Sequence, residues 1–215
     1  MEPARIIPAL RFDALTRFFD PVVRVTTRER LFKRLLVEQV NLQPGHRVVD
    51  VGCGTATLAI QLKQSCAAAR VVGLDADENV LEIARTKVRA EHVDIELHQG
   101  MAWEIPVEVG SLDRAVSSLV FHHLDRDAKV RTLRAMHRAL RRGGELHIAD
   151  WGQAHGLGMR LAFVAVQLLD GFATTADSVA GRLPGLIETA GFDDVCETRR
   201  LRTPLGTISL YRARR

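Results

Sequence analysis

Cysteine is scarce: Cys53, Cys66 and Cys196 are the only three in 215 residues. Their odd number and unmatched spacing speak against a disulfide framework or a thiolate metal site and suit a reducing compartment. Aromatic residues make up 5% of the chain, and none interleaves with the densest basic pairs, Arg199–Arg200 and Arg214–Arg215. The net charge of +4 therefore reflects arginines scattered along helices, and no nucleic-acid partner is expected. No apolar run is long enough to cross a bilayer, no secretory h-region stands at the N terminus, and nothing repeats, so stable membrane insertion is not expected and a cytoplasmic location is. What is present is a 47% apolar chain with room for one compact domain: a cap over 1–44, a core over 45–155, and a cover with a terminal hairpin over 156–215.

Residues 48–60 read VVDVGCGTATLAI and residues 71–77 read VVGLDAD. The β-branched run before Asp50 suits a strand covered on both faces, and Gly52 and Gly54 let the chain turn sharply and bring its amides close to a ligand. Asp75 then ends a second strand about 20 residues on, where one strand–helix–strand unit delivers a carboxylate to a ribose diol. Nicotinamide dinucleotides and S-adenosylmethionine both use this geometry. A dinucleotide loop wants a third glycine where Thr57 stands, which weakens the oxidoreductase alternative.

The segment resembles motif I of the class I S-adenosylmethionine-dependent methyltransferases, an acid followed by alternating glycines, matched by Asp50, Gly52 and Gly54. Ala56 replaces the third glycine, and the expectation is that this position requires only close approach, for which alanine is a small loss. Three more stretches match in order: GMAWEIP (100–106), SSLVFHHL (117–124) and RRGGELHIADWG (141–152), the last with Arg142 in place of a usual proline. The resemblance covers most of the chain and is closest to the ubiquinone/menaquinone-biosynthesis-like group.

It implies a Rossmann-like, doubly wound, seven-stranded sheet, mostly parallel, with an antiparallel C-terminal hairpin at its edge and a helical cap. It also implies S-adenosylmethionine as cofactor and a small-molecule acceptor. Gly52, Cys53, Gly54 and Thr55 would cradle the methionine part, with Asp50 orienting its ammonium. Asp75, followed by Ala76, would take the ribose, and Ser118 would lie near the sulfonium. Met101 occupies the place of an adenine-binding acid. A thioether cannot accept from the amino group, so recognition there would fall to backbone atoms around Met101 and Ala102, with Trp103 at the adenine edge or in the core. The Asn/Asp-Pro-Pro-aromatic element of many amino-directed methylases is absent from the site of Ser117–Val120.

Around these motifs the pattern predicts helices at 10–19 and 27–40, divided at Asp20–Pro21, with Thr26 and Glu29 as a capping box. Helices near 56–64, 78–90 and 126–140 alternate with strands at 70–75, 93–98, 113–120 and 144–150. Partly helical chain follows from Asp177 to Ala190, closed by Gly191, and then the hairpin. Residues 157–172 are apolar nearly all round a helical wheel and should cover something: the fold, a second copy in a homodimer, or an acceptor pocket.

His122 and His123 emerge where a transferred methyl would lie, and either is a candidate general base. Asp150 could orient a histidine or cap the following loop, Trp151 could wall an aromatic acceptor or simply pack, and Phe12, Phe18 and Phe19 could roof the site or fill the core. His137 belongs to a packed helix face. Cys53 is expected to be a buried thiol and not an acceptor. The expected activity is methyl transfer to a small apolar or aromatic metabolite, on oxygen or carbon. A cofactor-binding protein without turnover and a dinucleotide oxidoreductase stand as alternatives.

Overall fold

The structure is a computed structural model that describes residues 28–153, 156 and 172–215. The expected helix at 10–19 with its Asp20–Pro21 boundary, Thr26, Phe12, Phe18, Phe19 and all but the last residue of the 157–172 segment lie outside the described residues. In β1 (Arg47–Val51), Val48 enters one apolar core while Val49 and Val51 enter the other. The two-residue period of a strand thus feeds both faces of one sheet. Beyond it come β2 (Arg70–Asp75), β3 (Glu96–Gln99), β4 (Leu112–Ser118), β5 (Leu140–Trp151), β6 (Asp193–Thr203) and β7 (Gly206–Arg214). The sheet order is β3-β2-β1-β4-β5-β7-β6. Its first five strands run parallel, and β7 lies antiparallel between β5 and β6. The order reverses between β1 and β4, so the crevice at the carboxyl ends of these strands is where a ligand is expected.

One face carries α1 (Glu29–Val40) and α2 (Thr57–Ser65), with Phe32, Leu36, Leu58 and Leu62 buried. Next in the chain is α3 (Glu78–Ala90), which starts where Asp77 accepts the Asn79 amide at 2.9 Å. The opposite face carries α4 (Arg126–Ala139), which starts where Asp125 accepts the Ala128 amide at 2.8 Å. Caps of this kind contribute about 1 kcal/mol each. Leu133 and Met136 of α4 are fully buried there, each side chain contributing about 1.5–3 kcal/mol. The helix ends one residue earlier than its periodicity suggests because Leu140 turns extended and pairs with Leu112 of β4. Arg28 is the N-cap of α1 and its side chain makes no capping hydrogen bond, while the Glu29 carboxylate holds Lys33 Nζ at 2.5 Å.

Two further helices, α5 (Phe172–Val179) and α6 (Leu183–Thr189), fill the partly helical stretch, and Gly191 at φ +104° closes it as expected. α5 is fastened to α4 by charge. Lys129, only 2% exposed, donates to the Thr174 carbonyl at 2.8 Å and reaches Asp177 at 3.3 Å, and Arg126 joins Asp177 from the rim at 2.5 Å. Removing one partner of such a buried pair is strongly destabilising, so the network specifies where α5 sits: against the 3-10 turn Phe121–His123 and β5. Among the described residues no helix is long and apolar enough to cross a membrane.

Candidate active site

The glycine loop after β1 is tied to the end of β2. Gly52 and Cys53 both donate to the Leu74 carbonyl, at 2.7 and 3.0 Å, and Gly54 donates to Asp75 Oδ2 at 2.8 Å. These three amides are therefore hydrogen-bonded inside the protein and are not free donors. The same carboxylate accepts the Asp77 amide on Oδ1 at 3.0 Å. Because Asp77 is the N-cap of α3, Asp75 is not needed as a helix cap.

Gly52 has φ +71°, and a Cβ there would lie 2.3 Å from Val120 Cγ2, so β1's loop and β4's exit touch only because the side chain is missing. Gly54 has φ +55° and faces open space. Left-handed strain costs alanine about 1–2 kcal/mol and overpacking about 1–3 kcal/mol. Gly52→Ala is thus expected to lose roughly 2–5 kcal/mol in urea unfolding and Gly54→Ala only about 1–2 kcal/mol; equal losses would refute the Val120 contact.

Ala56 departs from expectation: it is fully buried but has φ +59°, so the position does use the left-handed region. Glycine would relieve about 1–2 kcal/mol of strain, yet would forfeit about 0.8 kcal/mol of methyl burial and gain unfolded-chain entropy of similar size. These effects nearly cancel, which explains why alanine is tolerated. Thr55 and Thr57 are both held by Lys87 Nζ of α3, at 3.0 and 2.7 Å, a bracing cation whose partners are distant in sequence and which the motif does not announce.

Asp50, in β1 just before this loop, is 1% exposed, and neither carboxylate oxygen has a well-formed hydrogen bond. Burial pushes its carboxyl up to about 7; the charge of Lys33 on α1 pulls the other way, Asp75 adds to the rise, and the Ala59 amide opposes it. Cys53 packs its sulfur toward β2, where a Cβ on Gly73 would lie 3.0 Å away, leaving main chain as its contribution to a ligand site. Burial, then Asp50 and Asp75, raise its thiol far above the ordinary range, as suits an inert cysteine.

Beyond β2, the Gly100 amide donates to the Asp75 carbonyl at 2.9 Å, which sets the turn after β3 beside the end of β2. Ala76 is exposed there, and Met101, Ala102 and Trp103 are half-buried. Of the backbone atoms expected to read the base around Met101 and Ala102, the Met101 amide is taken: Glu104 Oε2 accepts it at 3.0 Å. Trp103 carries the Arg131 guanidinium of α4 3.8 Å above its ring, so it lies beneath a cation at the rim and not in the core.

At the end of β4, Ser117 is buried and donates to the Val51 carbonyl at 2.8 Å, while Ser118, the last strand residue, is partly exposed. Leu119 follows at φ +56°, a strained conformation for a branched residue, and the chain turns into Phe121–His123. Asp150, 1% exposed at the end of β5, organises this turn. It accepts the Val120 and Phe121 amides at 3.0 and 2.8 Å, the Trp151 amide at 2.7 Å, and His122 Nδ1 at 2.8 Å. Burial alone would raise the Asp150 carboxyl, but His122, then the Trp151 amide and His123, more than offset it and hold the carboxyl below the ordinary range. An ionised Asp150 accepts only, so Nδ1 of His122 carries the proton in this pair. His123 stacks on His122 at 3.9 Å; burial, then His122, push its imidazole down to about 3. Trp151 is 4% exposed, packed in the core with its ring edge-on to His122 at 6.4 Å, and His137 packs edge-on to Phe192 at 5.0 Å.

The pattern described as "Methyltransferase domain" matches residues 48–144, from β1 through the turn into β5. A relative from Streptomyces halstedii, methyltransferase GfsG, is 36% identical over 196 residues, 84% of this chain and 66% of its own length. The chain belongs to the class I S-adenosylmethionine-dependent methyltransferases. Within that family it is also 31% identical over 147 residues to the ubiquinone/menaquinone biosynthesis C-methyltransferase UbiE of Geobacter sp. (strain M21), covering 66% of this chain and 59% of the relative. The chain thus spans about three-fifths to two-thirds of the length of these relatives. The apo crystal structure of the S-adenosylmethionine-dependent methyltransferase SibL superposes with a TM-score of 0.71 at 20% identity, over 95% of this chain and 60% of that one, and shares the fold.

Proposed function

We propose that this methyltransferase-family chain moves a methyl group from S-adenosylmethionine to a small, apolar or aromatic metabolite, with oxygen or carbon accepting it. One observation carries the cofactor assignment: the buried Asp50 has two oxygens without well-formed hydrogen bonds, beside a loop whose three leading amides are already engaged. A buried carboxylate in that state favours a cation that donates hydrogen bonds, as the ammonium of the cofactor's amino-acid end does. The pyrophosphate of a dinucleotide needs the reverse, free amides and no facing carboxylate, which argues against the oxidoreductase alternative. The name of UbiE, a ubiquinone/menaquinone biosynthesis C-methyltransferase, supports a small-molecule acceptor and carbon as the accepting atom.

When bound, the cofactor supplies an electrophilic methyl on a sulfonium. Asp50 anchors its ammonium, and the main chain of Gly52, Cys53 and Gly54 with Thr55 lines the methionine part. Asp75 has given two of about four acceptor positions to the Gly54 and Asp77 amides, leaving capacity for both ribose hydroxyls. Ser118 faces the reacting end. His122, oriented by Asp150, takes the proton of an acceptor hydroxyl or activated carbon, while the depressed His123 remains neutral and shapes the wall. Residues 1–44 act as cap and 156–215 as cover and terminal hairpin of a single domain, in a reducing cytoplasm that keeps the three cysteines as thiols.

Calorimetric titration with S-adenosylhomocysteine, beside NADH and an Asp75→Ala variant, tests the cofactor. Micromolar binding that disappears in the variant, with no NADH binding, is the expected result. A folded wild type that ignores S-adenosylhomocysteine would overturn the proposal.

A further inference from the structure

The engaged Met101 amide removes one of the backbone groups expected to read the purine, and the residue that engages it supplies a side-chain acceptor. The strand ends run outward in the order β1, β2, β3: Asp50 on the first, Asp75 on the second, and the turn Gly100–Glu104 on the third, fastened to Asp75 by the Gly100 amide at 2.9 Å. With the amino-acid end at Asp50 and the ribose at Asp75, the base falls over this turn. An exocyclic amine there needs an acceptor, since donor groups that leave water unpaired lose binding. From Met101 to Glu104 the side chains are a thioether, a methyl, an indole that only donates, and one carboxylate.

That carboxylate is already folded onto the turn. Glu104 Oε2 accepts the Met101 amide at 3.0 Å while the Glu104 amide donates to the Met101 carbonyl at 2.8 Å, a reciprocal pair that fixes the side chain by one oxygen and leaves Oε1 to accept elsewhere. The side chain also stays close to the strand end: a Cβ on Gly100 would lie 3.7 Å from Oε2 and 3.8 Å from the Glu104 Cβ. Glu104 makes no ion pair with a described cation, so no competing contact holds it away from the base.

We propose that Glu104 reads the purine amino group of the cofactor, a carboxylate displaced three positions along the chain from Met101. The proposal rests on the cofactor assignment above. A hydrogen bond to a charged acceptor corresponds to about tenfold to a hundredfold in affinity.

The test is a binding cycle by calorimetry on the full chain. Its ligands are S-adenosylhomocysteine and the analogue with hydrogen in place of the purine 6-amino group; its proteins are wild type and Glu104→Ala. Wild type is expected to prefer the amino compound about tenfold to a hundredfold, and Glu104→Ala is expected to bring the two affinities within about threefold of each other. A variant that weakens both ligands equally makes Glu104 only a staple of the turn and overturns the proposal. So does a variant that retains the preference, with the cofactor assignment intact. Wild type binding neither ligand defeats the cofactor assignment itself.

Discussion

Replacing Asp50 by asparagine is expected to stabilise the ligand-free protein at pH 8 and to weaken S-adenosylhomocysteine binding by a hundredfold or more. Both effects have one cause. The carboxylate is buried at 1% exposure with no well-formed hydrogen bond on either oxygen, and burial lifts its carboxyl to about 7. Between the unfolded value of 3.8 and about 7, the folded protein holds a proton that the unfolded chain has released. Stability therefore falls as pH rises through this window and levels off above it. The penalty at pH 8 is on the order of 4 kcal/mol, and the uncharged asparagine escapes it. Its buried amide has its own cost of about 1–3 kcal/mol, so a net gain of roughly 1–3 kcal/mol remains. Urea unfolding at pH 5 and pH 8 checks it: the gain should appear at pH 8 and shrink at pH 5.

Binding reads the same group from the other side. An ammonium docking on Asp50 requires the ionised form, so below pH 7 wild type should release a proton on binding, visible as a binding enthalpy that changes with the ionisation heat of the buffer. The asparagine variant should show neither the release nor the affinity. A variant less stable than wild type at pH 8 would mean that Asp50 is satisfied within the fold and holds no cation.

Much of this site could be read along the chain because its parts are local. The strand at 70–75 and the helix at 78–90 fall as their patterns require, since Asp77 marks the helix start and the apolar run ends at Asp75. The strand expected at 93–98 instead forms at Glu96–Gln99, because pairing with β2 begins only where Glu96 meets Val72. What stayed hidden depends on contacts far apart in sequence. Ala56 gave no sign that its φ would be positive, because a glycine kept for space and one kept for conformation look alike. Lys129 and Asp177 stand 48 positions apart, and nothing in either helix pattern pairs them. Glu104 was visible as the only carboxylate of residues 100–106, but its fold-back onto Met101 is a property of the turn.

The largest loss of turnover is expected at His122. Its Nδ1 is held 2.8 Å from Asp150 Oδ1, and in the proposed role the neutral imidazole would take the acceptor's proton on Nε2. A positioned base contributes typically about 10²–10⁴-fold. His122→Gln should therefore lower kcat by at least about a hundredfold, with KM for S-adenosylmethionine nearly unchanged because the substitution leaves the proposed cofactor contacts, Asp50 and Asp75, intact. The fold should survive, since Asp150 keeps the Val120, Phe121 and Trp151 amides. His123→Gln provides the contrast. An imidazole depressed to about 3 is neutral at pH 7 but too weak a base to draw a proton effectively, so this variant should lose less than about tenfold. Asp150→Asn adds a check on orientation: its amide can present nitrogen to His122 and reverse the tautomer, moving the proton to Nε2 and lowering kcat nearly as far as His122→Gln. A fall under tenfold for His122→Gln, with Asp150→Asn equally mild, would show that the acceptor ionises unaided. The histidine–aspartate pair would then be a clamp holding the turn after β4 against the reacting end, and alignment and exclusion of water would carry the rate.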